Sequence, residues 1–288
     1  SVASRGLGDV YKRQMELVVP TRSRLTIASA VVICILAAGS SFAQVDNYLP
    51  VTDGRLQNPA AADWLSWRRT LDGQAHSPLD EITPENVGDL RLVWSWALRP
   101  CPQQTTPLVH DGVLFIANPG EVVQALDAAT GDLIWEYDRG ADAPGSSFGG
   151  PPAGRMTRNI SMYDDKIYLN TADAHVVAID ARSGEEVWDT DIDQGVGYQF
   201  SSGSIIADGK VVSGLTGCGR YREESCYIVG LDATTGEELW RTSTVALPGQ
   251  RGGDTWGDLP PMFRAGSDSW IPGSYDPVTR TLFHGTSQ

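Results

Sequence analysis

Three stretches of this sequence repeat one pattern at an almost constant interval. They are Ala125–Trp135, Ala178–Trp188 and Gly230–Trp240, and each contains an Asp, a Thr-Gly or Ser-Gly pair, and a Trp eight residues after the Asp. The tryptophans are 53 and 52 residues apart. A fixed period of about fifty residues is typical of propeller blades or solenoid turns, in which each repeat buries its apolar face against its neighbours.

Each repeat contains signals for about four strands and no helical stretch. The Asp-x-x-Thr/Ser-Gly run predicts a turn, because the Asp side chain bonds nearby backbone and Gly accepts a positive φ. Alternating apolar residues flank that turn, and a second turn and strand come earlier in each repeat, as at His110–Ile116. Four-stranded units that repeat radially make a β-propeller. We therefore predict an all-β propeller, with room for about four to five blades in residues 44–288.

The repeated tryptophans and one insertion carry further expectations. A Trp at the same place in every repeat is expected to fill the gap between blades rather than to contact a cofactor. The third repeat has eight extra residues, in a turn-rich segment that contains Cys218 and Cys226. In an exported protein these two cysteines are predicted to form a disulfide, with Cys101 left free unless its partner lies elsewhere.

The start of the chain shows signs of processing. Asp9–Gln14 matches the translation of a transposon end used in sequencing libraries, so we interpret residues 1–14 as an artefact; a natural upstream extension is the alternative. Met15–Ala43 has the basic, apolar and small-residue regions of a signal peptide, with cleavage expected after Ala43. An uncleaved membrane anchor is the other interpretation. Export would place the protein in the periplasm.

Composition narrows the classes of partner. The formal net charge is −14, with 36 acidic and 22 basic side chains. Nucleic-acid affinity comes mainly from Lys and Arg on phosphates, so the charge argues against a nucleic-acid partner. The negative net charge also disfavours binding to anionic membrane lipids.

Several motifs, and their order along the chain, resemble those of pyrroloquinoline-quinone (PQQ)-dependent alcohol dehydrogenases. They are Asp63–Trp67, Ser77–Val87, Leu92–Trp94, Gly252–Trp256 and Trp270–Pro277. Members of that family are eight-bladed propellers of about twice this length. The resemblance implies that this chain is a truncated N-terminal half, an incomplete ring.

The resemblance also implies cofactor-binding residues. Trp270 matches the Trp that stacks on the flat quinone, and Arg158 matches the Arg at its acidic edge. Gln104 lies where relatives direct Glu or Gln toward a cofactor carboxylate. Smaller polar or backbone contacts are implied for the remaining candidates, which are Ser201, Thr216, Gly217 and Cys218.

Three departures from the family pattern affect the chemistry. Pro152 and Ala153 stand where some relatives carry two adjacent cysteines opposite the Trp. Gly219 and Gln288 stand where many relatives hold Ca²⁺ or a lanthanide with Glu and Asn, which puts the metal in doubt because a hard cation needs several oxygens. The family's Asp base is expected beyond residue 288, so this chain alone is predicted to have no dehydrogenase activity.

The function implied by the resemblance is oxidation of an alcohol, with hydride transfer to PQQ and electrons passed to a cytochrome or a membrane quinone. A homodimer of the intact protein stays an open alternative. A second function is also open, that of a non-catalytic propeller scaffold of the outer-membrane assembly type. Such a scaffold would lack the Trp270 and Gly252–Trp256 segments.

Overall fold

The computed structural model describes residues 44–100, 103–140, 158–192, 197–219 and 226–287. They belong to a unit that runs from Phe42 to Gln288, separate from Ser1–Ser41. Several sequence predictions lie outside the described residues, namely those for residues 1–14, Met15–Ala43, Cys101, Pro152, Ala153 and Gln288. Within the described residues, no helix has the length and apolar character needed to cross a membrane.

The described residues form three four-stranded antiparallel sheets and one two-stranded sheet, each with its strands in chain order. Blade 1 consists of β1 Leu108–His110, β2 Val113–Asn118, β3 Val122–Asp127 and β4 Leu133–Asp138. Blade 2 consists of β5 Ile160–Tyr163, β6 Lys166–Asn170, β7 His175–Asp180 and β8 Glu186–Asp191. Blade 3 consists of β9 Ile205–Ala207, β10 Lys210–Gly214, β11 Tyr227–Asp232 and β12 Glu238–Ser243. Blade 4 has β13 Ser274–Asp276 and β14 Thr281–Phe283.

The predicted all-β fold is therefore confirmed, with three complete blades and part of a fourth among the described residues. The stretch before β1 contains one short helix, α1 Asp53–Gln57, and a 3₁₀ turn at Val87–Asp89. Two more 3₁₀ turns lie between β12 and β13, at Gly253–Trp256 and Pro261–Phe263. The eight extra residues of the third repeat fall between β10 and β11.

The first strand of each complete blade is mostly buried, whereas the fourth strand is largely exposed. The first strands thus face the centre of the propeller and the fourth strands face outward. The chain before β1 crosses several blades. Val51 pairs with Asp164 after β5, and Trp64 pairs with Val109 of β1. The Tyr275 N–H of blade 4 donates to the Leu71 carbonyl at 2.9 Å.

The Asp turn of each repeat forms as predicted. Asp180 Oδ1 accepts the Arg182 and Ser183 N–H groups at 2.9 and 2.8 Å. Asp127 and Asp232 bond their own turns in the same way. This bonding closes the connection between the third and fourth strands of each blade.

The repeated Trp packs on the glycine of the next repeat, which confirms the predicted packing between blades. A Cβ built on Gly184 would lie 2.7 Å from the Trp135 ring, and φ there is +75°. Trp135 also donates its indole N–H to the Ala181 carbonyl at 3.0 Å. Only glycine therefore fits the turn, because both the backbone and the neighbouring ring require it.

Two further tryptophans make the same contact. Trp188 lies against Gly236 in blade 3, and Trp94 lies against Gly131 in blade 1. Trp94 lies outside the period of the sequence repeat, because it precedes Trp135 by 41 residues rather than by 52 or 53. Trp94 nevertheless donates to the Ala128 carbonyl at 3.1 Å, the equivalent of the Trp135 bond.

Candidate functional site

Four predicted cofactor residues occupy the same topological position in four different blades. Gln104 lies four residues before β1, Arg158 two before β5, Ser201 four before β9, and Trp270 four before β13. First strands that face the centre of a propeller begin at the same end of it. The fold therefore brings together residues that are up to 166 positions apart in the sequence.

Arg158 is the centre of this group. Its Nε donates to Gln104 Oε1 at 2.9 Å, and its Nη1 donates to the Ser201 carbonyl at 2.5 Å. Its guanidinium carbon lies 5.3 Å from the centroid of the Trp270 ring, a distance at which a cation and an aromatic face attract. One guanidinium thus contacts residues from three other blades.

The charge of Arg158 has no acidic partner in the described part of the chain. The ion pairs of that part do not include Arg158, and burial lowers the pKa of its guanidinium. The group still stays protonated at any ordinary pH. A half-buried cation without a carboxylate is a place where an anionic ligand gains a charge-assisted hydrogen bond.

Trp270 differs from the repeat tryptophans in its exposure. Its side chain is 42% exposed, whereas Trp135 is 1% exposed. A large aromatic surface open to solvent, beside a guanidinium without an acidic partner among the described residues, suits a flat ligand that carries acidic groups. The structure thus gives the predicted stacking residue a free face.

Polar atoms next to Gln104 are also available. Gln103 uses its Nε2 to donate to the Ala117 carbonyl at 3.1 Å. Gln103 Oε1 and Thr105 Oγ1 are buried, and neither has a hydrogen-bond partner among the described residues. Buried polar atoms without partners are costly, so this edge of the site favours a ligand with polar groups.

The position of Ser201 depends on a close approach of two blades. Gly203 lies against Asn159, and a Cβ on Gly203 would be 2.2 Å from the Asn159 carbonyl oxygen. Because only glycine fits there, the chain before β9 can run beside the residue that follows Arg158. The Ser201 carbonyl then lies within reach of the guanidinium.

Thr216, Gly217 and Cys218 follow β10, which is antiparallel to β9, and so lie at the same end of blade 3. Thr216 pairs with Gln199, two residues before Ser201, through two backbone hydrogen bonds of 2.8 and 3.1 Å. The contacts of Arg158 described above do not extend to these three residues. Their predicted cofactor contacts stay predictions.

The predicted disulfide is present in the structure. Cys218 and Cys226 are joined across the insertion, with their Cα atoms 5.1 Å apart. Residues 220–225 of the insertion lie outside the described residues. The disulfide joins the end of β10 to the start of β11, at the end of the blade that carries the candidate site.

The described residues do not fit a bound cation of the kind that the resemblance implied. Gly219 supplies no side chain, and Gln288 lies outside the described residues. The Asp268 carboxylate lies beside Cys218, and its Oδ1 already accepts the Cys218 N–H at 3.0 Å. A hard cation takes six or more oxygen ligands, so no step is assigned to a metal here.

Sequence reasoning missed two neighbours of Trp270. Asp268 bonds the disulfide loop, as just described. Ser269 is fully buried, and its hydroxyl lies 2.5 Å from His284 Nδ1. No motif or spacing in the sequence links Asp268 to Cys218, or Ser269 to His284.

The family model for the β-propeller domain of glucose, ethanol and alcohol dehydrogenases that use PQQ matches residues 64–288. The chain belongs to this family. The match begins at Trp64, which pairs with blade 1, and includes the four blades and all of the candidate site residues.

Curated relatives are quinone-dependent alcohol dehydrogenases. The chain is 33% identical over 271 residues to quinohemoprotein alcohol dehydrogenase ADH-IIG of Pseudomonas putida, with 89% of this chain and 37% of the relative covered. It is 31% identical over 288 residues to the dehydrogenase subunit of an alcohol dehydrogenase (quinone) of Gluconobacter oxydans, with 92% and 37% covered. The chain therefore spans a little over a third of the length of these relatives.

Solved structures agree with the fold. The chain matches quinohemoprotein alcohol dehydrogenase ADHIIG from Pseudomonas putida HK5 with a TM-score of 0.70 and 31% identity, over 83% of this chain and 37% of that one. It also shares the fold of a europium-containing methanol dehydrogenase, with a TM-score of 0.68 and 22% identity over 80% of this chain and 43% of that one.

Proposed function

We propose that the chain supplies the N-terminal blades of a PQQ-dependent dehydrogenase that oxidises an alcohol. The observation that carries the proposal is the convergence of Gln104, Arg158, Ser201 and Trp270 from four blades, with a guanidinium that has no acidic partner among the described residues beside an exposed indole. Family membership supports the same function.

The residues present suit PQQ, an aromatic quinone with carboxylate groups. Arg158 would bind a carboxylate or carbonyl through the donors that its planar fork still offers. Trp270 would stack against the ring system and keep water from one face of it. When bound, PQQ accepts the hydride that the alcohol loses.

Removal of the hydroxyl proton needs a base, which we expect in the part of the protein that follows residue 288. None of the residues assigned to the site is a carboxylate or a histidine. The contribution of this chain is therefore to bind and orient the quinone, whereas proton transfer depends on blades outside it. General-base loss alone typically costs about 10²–10⁴-fold in rate, so we expect no turnover by the chain alone.

Export and the electron acceptor complete the proposal. Met15–Ala43 would direct the protein to the periplasm. A cytochrome c or a membrane quinone would take the electrons, since relatives are described as a 1-butanol dehydrogenase (cytochrome c) and as an alcohol dehydrogenase (quinone).

Titration of the chain with PQQ, measured by isothermal titration calorimetry, tests the binding role. Arg158→Met should raise the dissociation constant by at least about tenfold, because hydrogen bonds to a charged group are lost. Arg251→Met is the matched control, since Arg251 is exposed and lies outside the site. Equal PQQ binding by wild type and Arg158→Met would contradict the assignment, and the non-catalytic scaffold predicts no PQQ binding at all.

The dehydrogenase role is tested in a hybrid protein. Residues 44–288 would replace the matching third of the Pseudomonas putida ADH-IIG relative, and alcohol oxidation would be followed with an electron-accepting dye and added PQQ. We expect activity in a hybrid that binds PQQ, loss of activity with Arg158→Met, and no turnover by the chain alone. A hybrid that binds PQQ but never oxidises alcohol would contradict the proposed reaction.

A further inference from the structure

The segment Gly266–Trp270 joins blade 3 to blade 4 through its backbone. On the blade 3 side, Gly266 N–H donates to the Cys218 carbonyl at 3.2 Å, and Ser269 N–H donates to the Leu215 carbonyl at 2.9 Å. The segment is therefore bonded through its backbone to the chain that follows β10, and Trp270 stands at its end.

The other edge of the segment is bonded to the chain after β14. Ser267 N–H donates to the Ser287 carbonyl at 2.9 Å, and Ser287 N–H donates to the Asp268 carbonyl at 2.8 Å. Both edges of the segment are thus satisfied by neighbouring blades. Hydrogen bonds made by its side chains also fix the position of the segment.

Asp268 provides one such anchor. Its Oδ1 accepts the Cys218 N–H at 3.0 Å and lies 3.9 Å from Cys226 Sγ. Cys218 belongs to the disulfide that closes the insertion. The carboxylate thereby ties the segment to a covalently closed loop rather than to a free one.

Asp268 and Trp270 lie two residues apart, and neither side chain is fully buried. Ser269 between them is fully buried beside His284. The bond of Asp268 and the exposed Trp270 ring are therefore separated by a single residue that is itself held in the interior.

We propose that Asp268 is a positioning residue of the quinone site, which holds the Trp270 indole opposite Arg158 by its bond to the Cys218 backbone. The proposal rests on the proposed function and adds to it a residue that does not itself touch the quinone. Without the acceptor, the segment loses an anchor two residues from the indole, and the population with the ring in place falls. The apparent affinity then falls in proportion to that population.

A double-mutant cycle separates positioning from direct contact. PQQ affinity would be measured by calorimetry for wild type, Asp268→Ala, Trp270→Ala and the double variant. We expect Asp268→Ala to weaken binding about tenfold, and to have less than about a twofold effect when Trp270 is already Ala. Losses that multiply in the double variant would overturn the proposal, because Asp268 would then act independently of Trp270.

One further variant identifies what Asp268 supplies, and a second serves as its control. Asp268→Asn retains an oxygen that can accept the Cys218 N–H, so we expect affinity within about threefold of wild type. An Asn variant as weak as the Ala variant would show that charge matters rather than positioning, and would overturn the proposal. Asp258→Ala is the matched control, because Asp258 is exposed and lies outside the segment.

A measurement without PQQ keeps this proposal distinct from the proposed function. The emission of Trp270 is obtained as the difference between wild type and Trp270→Phe, and its quenching by acrylamide is compared with and without Asp268→Ala. We expect stronger quenching of that emission in the Ala variant, at an unchanged melting temperature. Unchanged quenching would overturn the positioning role, whereas absence of PQQ binding by wild type, with quenching still increased, would refute only the proposed function.

Discussion

Trp135 and Trp270 are the same residue type in one fold, and they occupy opposite environments. Trp135 is 1% exposed, packs on Gly184 and donates its N–H to the Ala181 carbonyl. Trp270 is 42% exposed and faces the guanidinium of Arg158. The first belongs to the repeat and the second does not. The difference shows that the periodic tryptophans hold blades together, while the tryptophan outside the period has a surface left for a ligand.

The largest expected effect is on stability, and it tests the packing of Trp135 between blades. Trp135→Ala removes a buried ring and leaves a cavity between blades 1 and 2, so it should lower the free energy of unfolding by about 3–5 kcal/mol. Urea denaturation followed by circular dichroism measures the loss. Trp270→Ala is the matched control and should leave the unfolding free energy within about 0.5 kcal/mol of wild type. Equal destabilisation by the two variants would contradict the comparison.

Removal of the disulfide tests how much the closed loop at the site end of blade 3 contributes to stability. Replacement of Cys218 and Cys226 by Ser should lower the free energy of unfolding by about 2–3 kcal/mol, since the unfolded chain regains the freedom of a closed loop. Thiol labelling of the oxidised wild-type chain should give no reaction at either cysteine. Labelling at both would show that the bond does not form in solution.

The ligand side of the comparison is tested by cofactor affinity. Trp270→Ala should weaken PQQ binding by about 1 kcal/mol or more, because the stacking contact and its buried area are lost. Trp188→Phe is a suitable control, since Trp188 packs between blades and lies outside the site. PQQ affinity that survives Trp270→Ala unchanged would remove Trp270 from the site.

The smallest expected effect concerns a charged contact at the interface of blades 1 and 2. His175 Nδ1 lies 2.7 Å from Asp189, with Asp173 and Asp191 within 4.0 Å of Nε2, and Arg139 from blade 1 pairs with Asp173 and Asp189. The hydrogen bond to Asp189 raises the pKa of His175 above its usual value. A raised pKa in the folded state stabilises the protein below about pH 6.5, and this stabilisation is lost as pH rises through the folded-state pKa.

His175→Gln should therefore lower the melting temperature most below about pH 6.5, and its effect should diminish as the pH rises through the folded-state pKa. We expect less than about 1 kcal/mol, because the pair is partly exposed. His76→Gln is the control, as His76 is exposed and lies outside the blades. A difference that does not depend on pH would exclude the ionic contribution.

Some site residues could be predicted from the sequence, because they belong to motifs that occur in the same order as in the family. Arg158, Gln104 and Trp270 were assigned by resemblance, and the structure brings them into contact through one guanidinium. Asp268 and the Ser269–His284 pair were not found, because no motif or spacing links these residues to their partners. Trp94 was missed for a different reason, since its segment shares the contact of the repeat but not its period.

The sequence by itself determined the local features of this protein. The Asp turn, the positive-φ glycine and the alternating apolar residues act over a few positions, so they predict the strands, the turns and the four-stranded blade. Only the tertiary structure decided which blade ends meet around the centre, that Arg158 has no acidic partner among the described residues, and that Asp268 bonds the disulfide loop. The physical reason is range: turn and strand preferences depend on near neighbours, whereas the site depends on contacts between residues about 40 to 110 positions apart, which only the packing of blades brings together.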